Sequence, residues 1–136
     1  MYQGSCLCGK IKFTIAGAIN NIVHCHCSLC RKAQGSAYAT NANVKQQDFN
    51  FICGENNLSA YEYHPKQKKY FCRSCGSPIM SKNDSSPDVI RIRLGTIESD
   101  INERPEAHIF VDSKANWETI SGDIPQYSEY FENEHD

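Results

Sequence analysis

The chain has 136 residues and a mass of 15.4 kDa, the size of one domain whose core is large enough to fold but small enough to gain from a metal staple. Hydrophobic residues make up 40% and charged residues 22%, an ordinary globular balance, and no apolar run approaches the roughly 18 residues that a membrane helix needs. A formal net charge of -2 and a pI near 6.2 argue against a global attraction to nucleic acid or to anionic membrane.

The N-terminal stretch MYQGSCLCGKIKF has no charged segment leading into an apolar run and no small-residue cleavage site. The expected compartment is therefore the reducing cytoplasm, where thiols stay free for metal. Ile11, Phe13 and Ile15 alternate with Lys10, Lys12 and Thr14, the period of a half-buried strand. Further strands are predicted at residues 37–42 and 49–52, after which Cys53 stands alone as a small buried hydrophobe. Tyr61 and Tyr63 alternate with Glu62 and His64. Lys66, Lys68, Lys69 and Arg73 then read as a solvated strand edge, since lysines commonly blunt exposed edges. Short strands at 70–71, at Val89-Ile90-Arg91-Ile92-Arg93-Leu94 and at 108–111 follow, separated by Gly, Asn, Asp, Ser and Pro clusters. No helical periodicity is evident until Tyr127, Tyr130 and Phe131, which could form one amphipathic turn before a frayed acidic end at 132–136. The expected organisation is a mainly β domain over 1–125 and an acidic tail over 126–136.

Seven of the eight cysteines form three clusters, Cys6/Cys8, Cys25/Cys27/Cys30 and Cys72/Cys75. Thiolates at these spacings suit a zinc ion held by a turn of backbone. Cys72-Arg73-Ser74-Cys75-Gly76 is a metal knuckle, with a glycine that permits positive φ so that N–H groups can point at the sulfurs. Cys6-Leu7-Cys8-Gly9 shares that trailing glycine, so these two clusters pair as one four-cysteine site. His24-Cys25-His26-Cys27-Ser28-Leu29-Cys30-Arg31-Lys32 offers three thiolates followed by two cations. Four thiolates close a tetrahedral site and make it structural, whereas three leave a position open. Three anionic sulfurs make the ion a poor generator of hydroxide, which suits it to a substrate thiol rather than to hydrolysis. Arg31 and Lys32 could offset the charge of that complex, and Arg31 could equally grip a substrate carboxylate. Disulfides fit neither the compartment nor the C-x-C spacing. For His24 and His26, which flank Cys25, hydrogen bonding to backbone or to a ligand sulfur stands beside acid–base work, and His108 and Trp117 are read as core residues.

GSCLCGKIKF, CHCSLCRKAQG, FCRSCGSPI and PEAHIFVDSKANW resemble, in order and spacing over roughly residues 4 to 120, the glutathione-dependent formaldehyde-activating enzyme family, which includes centromere protein V-like members. The resemblance implies the β-tent (Mss4-like) fold of short antiparallel sheets with few helices. It also implies two zinc ions, a structural one on Cys6, Cys8, Cys72 and Cys75 and a catalytic one on Cys25, Cys27 and Cys30. The activity it implies is carbon–sulfur lyase chemistry, in which the thiol of glutathione meets formaldehyde to give S-hydroxymethylglutathione. A different class is carried beside it: a non-catalytic zinc-ribbon module that binds a protein or nucleic acid, the nucleic-acid version being disfavoured by net charge.

Overall fold

The computed structural model describes residues 1–130; Phe131 and the acidic end at 132–136 lie outside them. The strands in chain order are β1 (Tyr2–Ser5), β2 (Lys12–Ile15) and β3 (Asn20–Cys25), then helix α1 (Ser28–Gln34). After it come β4 (Ala39–Lys45), β5 (Phe49–Cys53), β6 (Leu58–His64), β7 (Gln67–Cys72), β8 (Pro78–Asn83), β9 (Val89–Arg93) and β10 (Ala107–Ile109), with single 3-10 turns between some of them. The mainly β expectation is borne out. Three strands form a small sheet in the order β1-β2-β5, and seven form the larger sheet in the order β10-β3-β4-β9-β8-β7-β6. All pairs are antiparallel except β10 against β3.

Strand periodicity sorts the side chains onto two faces of the larger sheet. Ile22, Ala42, Val44, Met80, Ile90 and Ile92 turn one way and join Ile11, Phe13, Ile15 and Phe49 of the smaller sheet in the main core. The intervening residues, among them Asn41, Asn43, Ser81, Arg91 and Arg93, turn the other way. Beside them Val23, Cys25, Cys30, Ala39, Ala107 and Ile109 form a second, smaller apolar cluster. The molecule thus has one core between its sheets and another on the outer face, and the outer one contains cysteines.

Several sequence expectations are corrected. Strands β1, β3 and β8 carry too little clean alternation to be recognised, and α1 is only seven residues long. Its one buried residue is Cys30, so no apolar stripe marks it. The basic run is not a sheet edge: β7 lies between β6 and β8, and Lys69 is half-buried. Cys53 ends β5 but is exposed, and Trp117 is 69% exposed, so neither is a core residue. Tyr127 and Tyr130 do not form a helical turn. The chain there runs beside β10, with the Tyr127 N–H donating to the His108 carbonyl at 2.9 Å and the Val111 N–H to that of Tyr127 at 3.1 Å.

Candidate metal centres and the cavity at the three-cysteine cluster

Two matched turns build the four-cysteine cluster. The Gly9 N–H donates to the Cys6 carbonyl at 3.1 Å and the Gly76 N–H to the Cys72 carbonyl at 2.8 Å. Both glycines adopt the left-handed backbone that closes such a turn, with φ of 80° and 78°. The Leu7 N–H donates to the Ser77 hydroxyl at 2.8 Å, locking one turn against the other. Sulfur spacings are 3.6 Å from Cys6 to Cys8 and 3.8 Å from Cys8 to Cys72. A tetrahedral ion with metal–sulfur bonds of about 2.3 Å sets its sulfurs about 3.8 Å apart, so the cage fits one. N–H donors already face the sulfurs: Ile11 donates to Cys6 at 3.3 Å and the Asn57 side-chain amide to Cys72 at 3.1 Å. The cluster joins the turn after β1, in the small sheet, to the turn after β7, in the large one.

The second cluster is assembled by β3 and α1. Cys25 ends β3, Cys27 is the N-cap of α1 and Cys30 lies in its first turn. The Cys27 sulfur accepts the Cys30 N–H at 3.4 Å, doing with sulfur what a serine oxygen does at an ordinary helix start. Cys25 and Cys27 sulfurs are 3.5 Å apart, and all three sulfurs lie within 4.8 Å of one another. Hydrogen bonds from the Cys25 and Cys30 thiols, then from the Cys30 and Leu29 amides, hold Cys27 down at about 2. The hydrogen bond to Cys27 pushes Cys25 up, so the trio ionises first at Cys27. Gly35 closes the helix in the left-handed conformation, φ 69°, and Arg31 and Lys32 lie in its last turn, where cations complement the helix dipole. Among the described residues, each of the two sulfur clusters is a set that could hold a metal ion.

Cys25, Cys27 and Cys30 open into a cavity of about 320 Å³, within the range of small-molecule sites. Leu29, Val23, Ile109 and Phe110 supply apolar wall, and Tyr63 and Tyr130 stand on two sides. Phe110 holds a φ of 56°, rare for a bulky side chain, and its ring meets that of Tyr130 edge-on at 4.9 Å. The floor is the outer face of the large sheet, where Lys69, Ser81, Arg91 and Arg93 point in. No Asp or Glu lines the cavity among the described residues. Burial pulls both Lys69 and Arg93 below their ordinary values, against the opposing pull of the nearby thiols. Sequence reasoning missed these cations. The available signal was Arg91 and Arg93 at alternate positions of an isoleucine-rich strand, which reads as a solvent face unless something covers it.

Arg31 is elsewhere. It does not line the cavity among the described residues, and its Nε donates to the His26 carbonyl at 3.3 Å. His24 and His26 also stay outside it. His24 points from β3 to the face opposite Cys25, where its Nδ1 meets the Thr40 hydroxyl at 2.8 Å. The rings of His26 and His108 meet through Nε2 and Nδ1 at 2.8 Å. Tyr38 packs against all three imidazoles. This cluster packs behind β3, with the His24 and His26 rings bonded to Thr40 and His108 and not to a cysteine sulfur, and His108 is buried as expected of a core residue.

A short-stranded β fold whose sheets are joined by a four-cysteine cluster, with a second three-cysteine cluster opening into a cavity, defines a protein with two unlike candidate metal sites. The chain belongs to the glutathione-dependent formaldehyde-activating enzyme family, whose model matches residues 1–113. A protein of Halomonas elongata named "Putative glutathione-dependent formaldehyde-activating enzyme" is 27% identical over 128 residues, covering 88% of this chain and 81% of the relative. The crystal structure of a Rhodobacter sphaeroides protein superimposes with a TM-score of 0.63 at 23% identity, over 91% of this chain and 98% of the other, and so shares the fold.

Proposed function

We propose that the protein is a zinc-dependent carbon–sulfur lyase in which a small thiol, glutathione by default, enters the cavity and adds to an aldehyde such as formaldehyde, giving an S-hydroxymethyl adduct. The observation that carries this reading is the contrast between the clusters: Cys25, Cys27 and Cys30 line the cavity, and none of Cys6, Cys8, Cys72 and Cys75 does. The four-sulfur cage suits a structural zinc and the three-sulfur cage a working one. Cys25, Cys27 and Cys30 would hold the zinc, which would there favour a soft thiol sulfur and lower its pKa.

The protein's own residues bind, orient and shield. Leu29, Val23, Ile109 and Phe110 exclude water from the approach to the sulfurs, which strengthens every charge interaction there. Arg31, tethered to the His26 carbonyl one turn after Cys27, offsets thiolate charge from the helix side. The reaction forms one sulfur–carbon bond while the carbonyl π pair moves to oxygen, and the oxygen gains the proton that the thiol gives up. Nothing is oxidised or reduced. The zinc domain spans 1–125, and the acidic 126–136 segment adds Tyr130 to the cavity wall. All eight cysteines are free, as cytoplasmic residence requires, and no helix among the described residues is long and apolar enough to cross a membrane.

Exchange NMR of carbon-13 formaldehyde with glutathione tests the reading. The expected result is faster formation of the adduct with the zinc-loaded protein than without it, and loss of that acceleration in Cys27→Ser. No acceleration by protein shown to contain both metals would remove the enzyme reading and favour the zinc-ribbon interaction module.

A further inference from the structure

We infer that Lys69, Arg91 and Arg93 form an anion subsite on the cavity floor, that the thiol accepted here is one carrying a carboxylate, and that the Asn41 amide reads a second polar group beside it. The inference rests on the reading that a thiol meets the three-cysteine cluster, and it assigns the part of the substrate that does not react.

Strand register puts the three cations together. Lys69 on β7 lies opposite Ser81 on β8, Ser81 opposite Arg91 on β9, and Arg91 opposite Asn43 on β4, so one row of side chains crosses four strands. Arg93 lies opposite Asn41, and Cys25 opposite Ala39. Measured along β4 at about 3.3 Å per residue, the Arg93 row is about 7 Å from the Cys25 row and the Lys69–Arg91 row about 13 Å. That is the span of a molecule with its sulfur at one end and a carboxylate several bonds away. It also keeps the carboxylate clear of the thiolates that would repel it.

Arg93 is the strongest pointer. It is 3% exposed, and its Nη1 donates to the Ser81 hydroxyl at 3.4 Å and the Arg91 carbonyl at 3.3 Å, both neutral acceptors. No carboxylate among the described residues lines the cavity to pair with the charge. A buried guanidinium with no carboxylate beside it is costly unless another anion arrives. Lys69 sits over the Tyr63 ring, its Nζ 4.7 Å from the centroid, which orients the ammonium without neutralising it. Asn41 is 6% exposed and its Oδ1 is buried without a partner.

The test is titration of the cobalt-loaded protein with glutathione and with its diethyl ester, which keeps the thiol and removes both carboxylate charges, read by the cobalt spectrum. The expected result is that the free acid binds about tenfold tighter than the ester, with the difference shrinking as salt is raised. Lys69→Met is expected to weaken the acid about tenfold and leave the ester unchanged, and Arg93→Lys to retain more acid binding than Arg93→Met. Lys69 is only half-buried, so its variant keeps the test sound if Arg93→Met fails to fold. Equal binding of acid and ester, or equal weakening of both by Lys69→Met, would overturn the subsite and leave the thiol reading standing. No change of the cobalt spectrum with either compound would overturn both.

Discussion

Cys27 carries two duties: its sulfur completes the three-cysteine cluster, and it accepts the amide that starts α1. Serine at this position would lose a soft ligand but would remain a competent N-cap, because a hydroxyl oxygen accepts the same N–H. Cys75 has no such fallback, since it closes the cage that ties the turn after β1 to the turn after β7, and the binding energy of a closed cage is folding energy. Cys27→Ser is therefore expected to change unfolding free energy by no more than about 1 kcal/mol, and Cys75→Ser to lower it by several times that amount. Urea unfolding of the metal-loaded proteins measures the difference. Equal losses would make both clusters structural. Arg31 is next to a ligand in the chain but does not line the cavity among the described residues, whereas Arg93 reaches it only through strand pairing.

Elements differ in how far the sequence reveals them. Strand β9 is plain because Ile90 and Ile92 alternate with Arg91 and Arg93, and β2 because Ile11, Phe13 and Ile15 alternate with polar residues. Strand β3 is obscured because both of its faces are used: Ile22 enters the main core while Val23 and Cys25 enter the second cluster, so hydrophobic residues run on without alternating. Helix α1 is hidden for another reason. Its structure comes from a cysteine cap, a glycine stop and one buried cysteine, not from an apolar stripe. The grouping of the cysteines was legible because knuckle spacing is local and its glycines have a local task at Gly9 and Gly76. The cavity was not, because its floor and walls come from β3, α1, β4, β6, β7, β8, β9, β10 and the stretch after β10, and no local pattern encodes which outer face of a sheet will be covered.

At the scale of the molecule, the four-cysteine cluster joins the sheets and the three-cysteine cluster lies on the far side of the larger sheet, so the main core stands between them. The histidine group behind β3 adds a pH dependence to that framework. Burial, with the charges of neighbouring histidines, holds His24 down at about 4; burial, then His108 and the nearby cations, does the same to His26, and burial also lowers His108. An unfolded chain takes up these protons as pH falls through the ordinary imidazole value of about 6.5, while the folded one resists until about 4. Stability is thus complete above about 6.5 and is lost progressively as pH falls toward about 4. Urea midpoints are expected to be lower at about pH 5 than at about pH 7.5 in samples whose metal content is shown to be unchanged. Constant midpoints would mean that the imidazoles are charged in the folded protein.

Whether the three-cysteine cluster leaves one position for a thiol can be read by counting sulfurs with zinc-edge X-ray absorption. Seven cysteine sulfurs shared between two ions give an average of 3.5 sulfurs per zinc. In protein confirmed to hold two zinc ions, that average is expected without added thiol, rising to four on saturation with glutathione. A count already at four before the thiol is added, or one that stays at 3.5 in its presence, would contradict it.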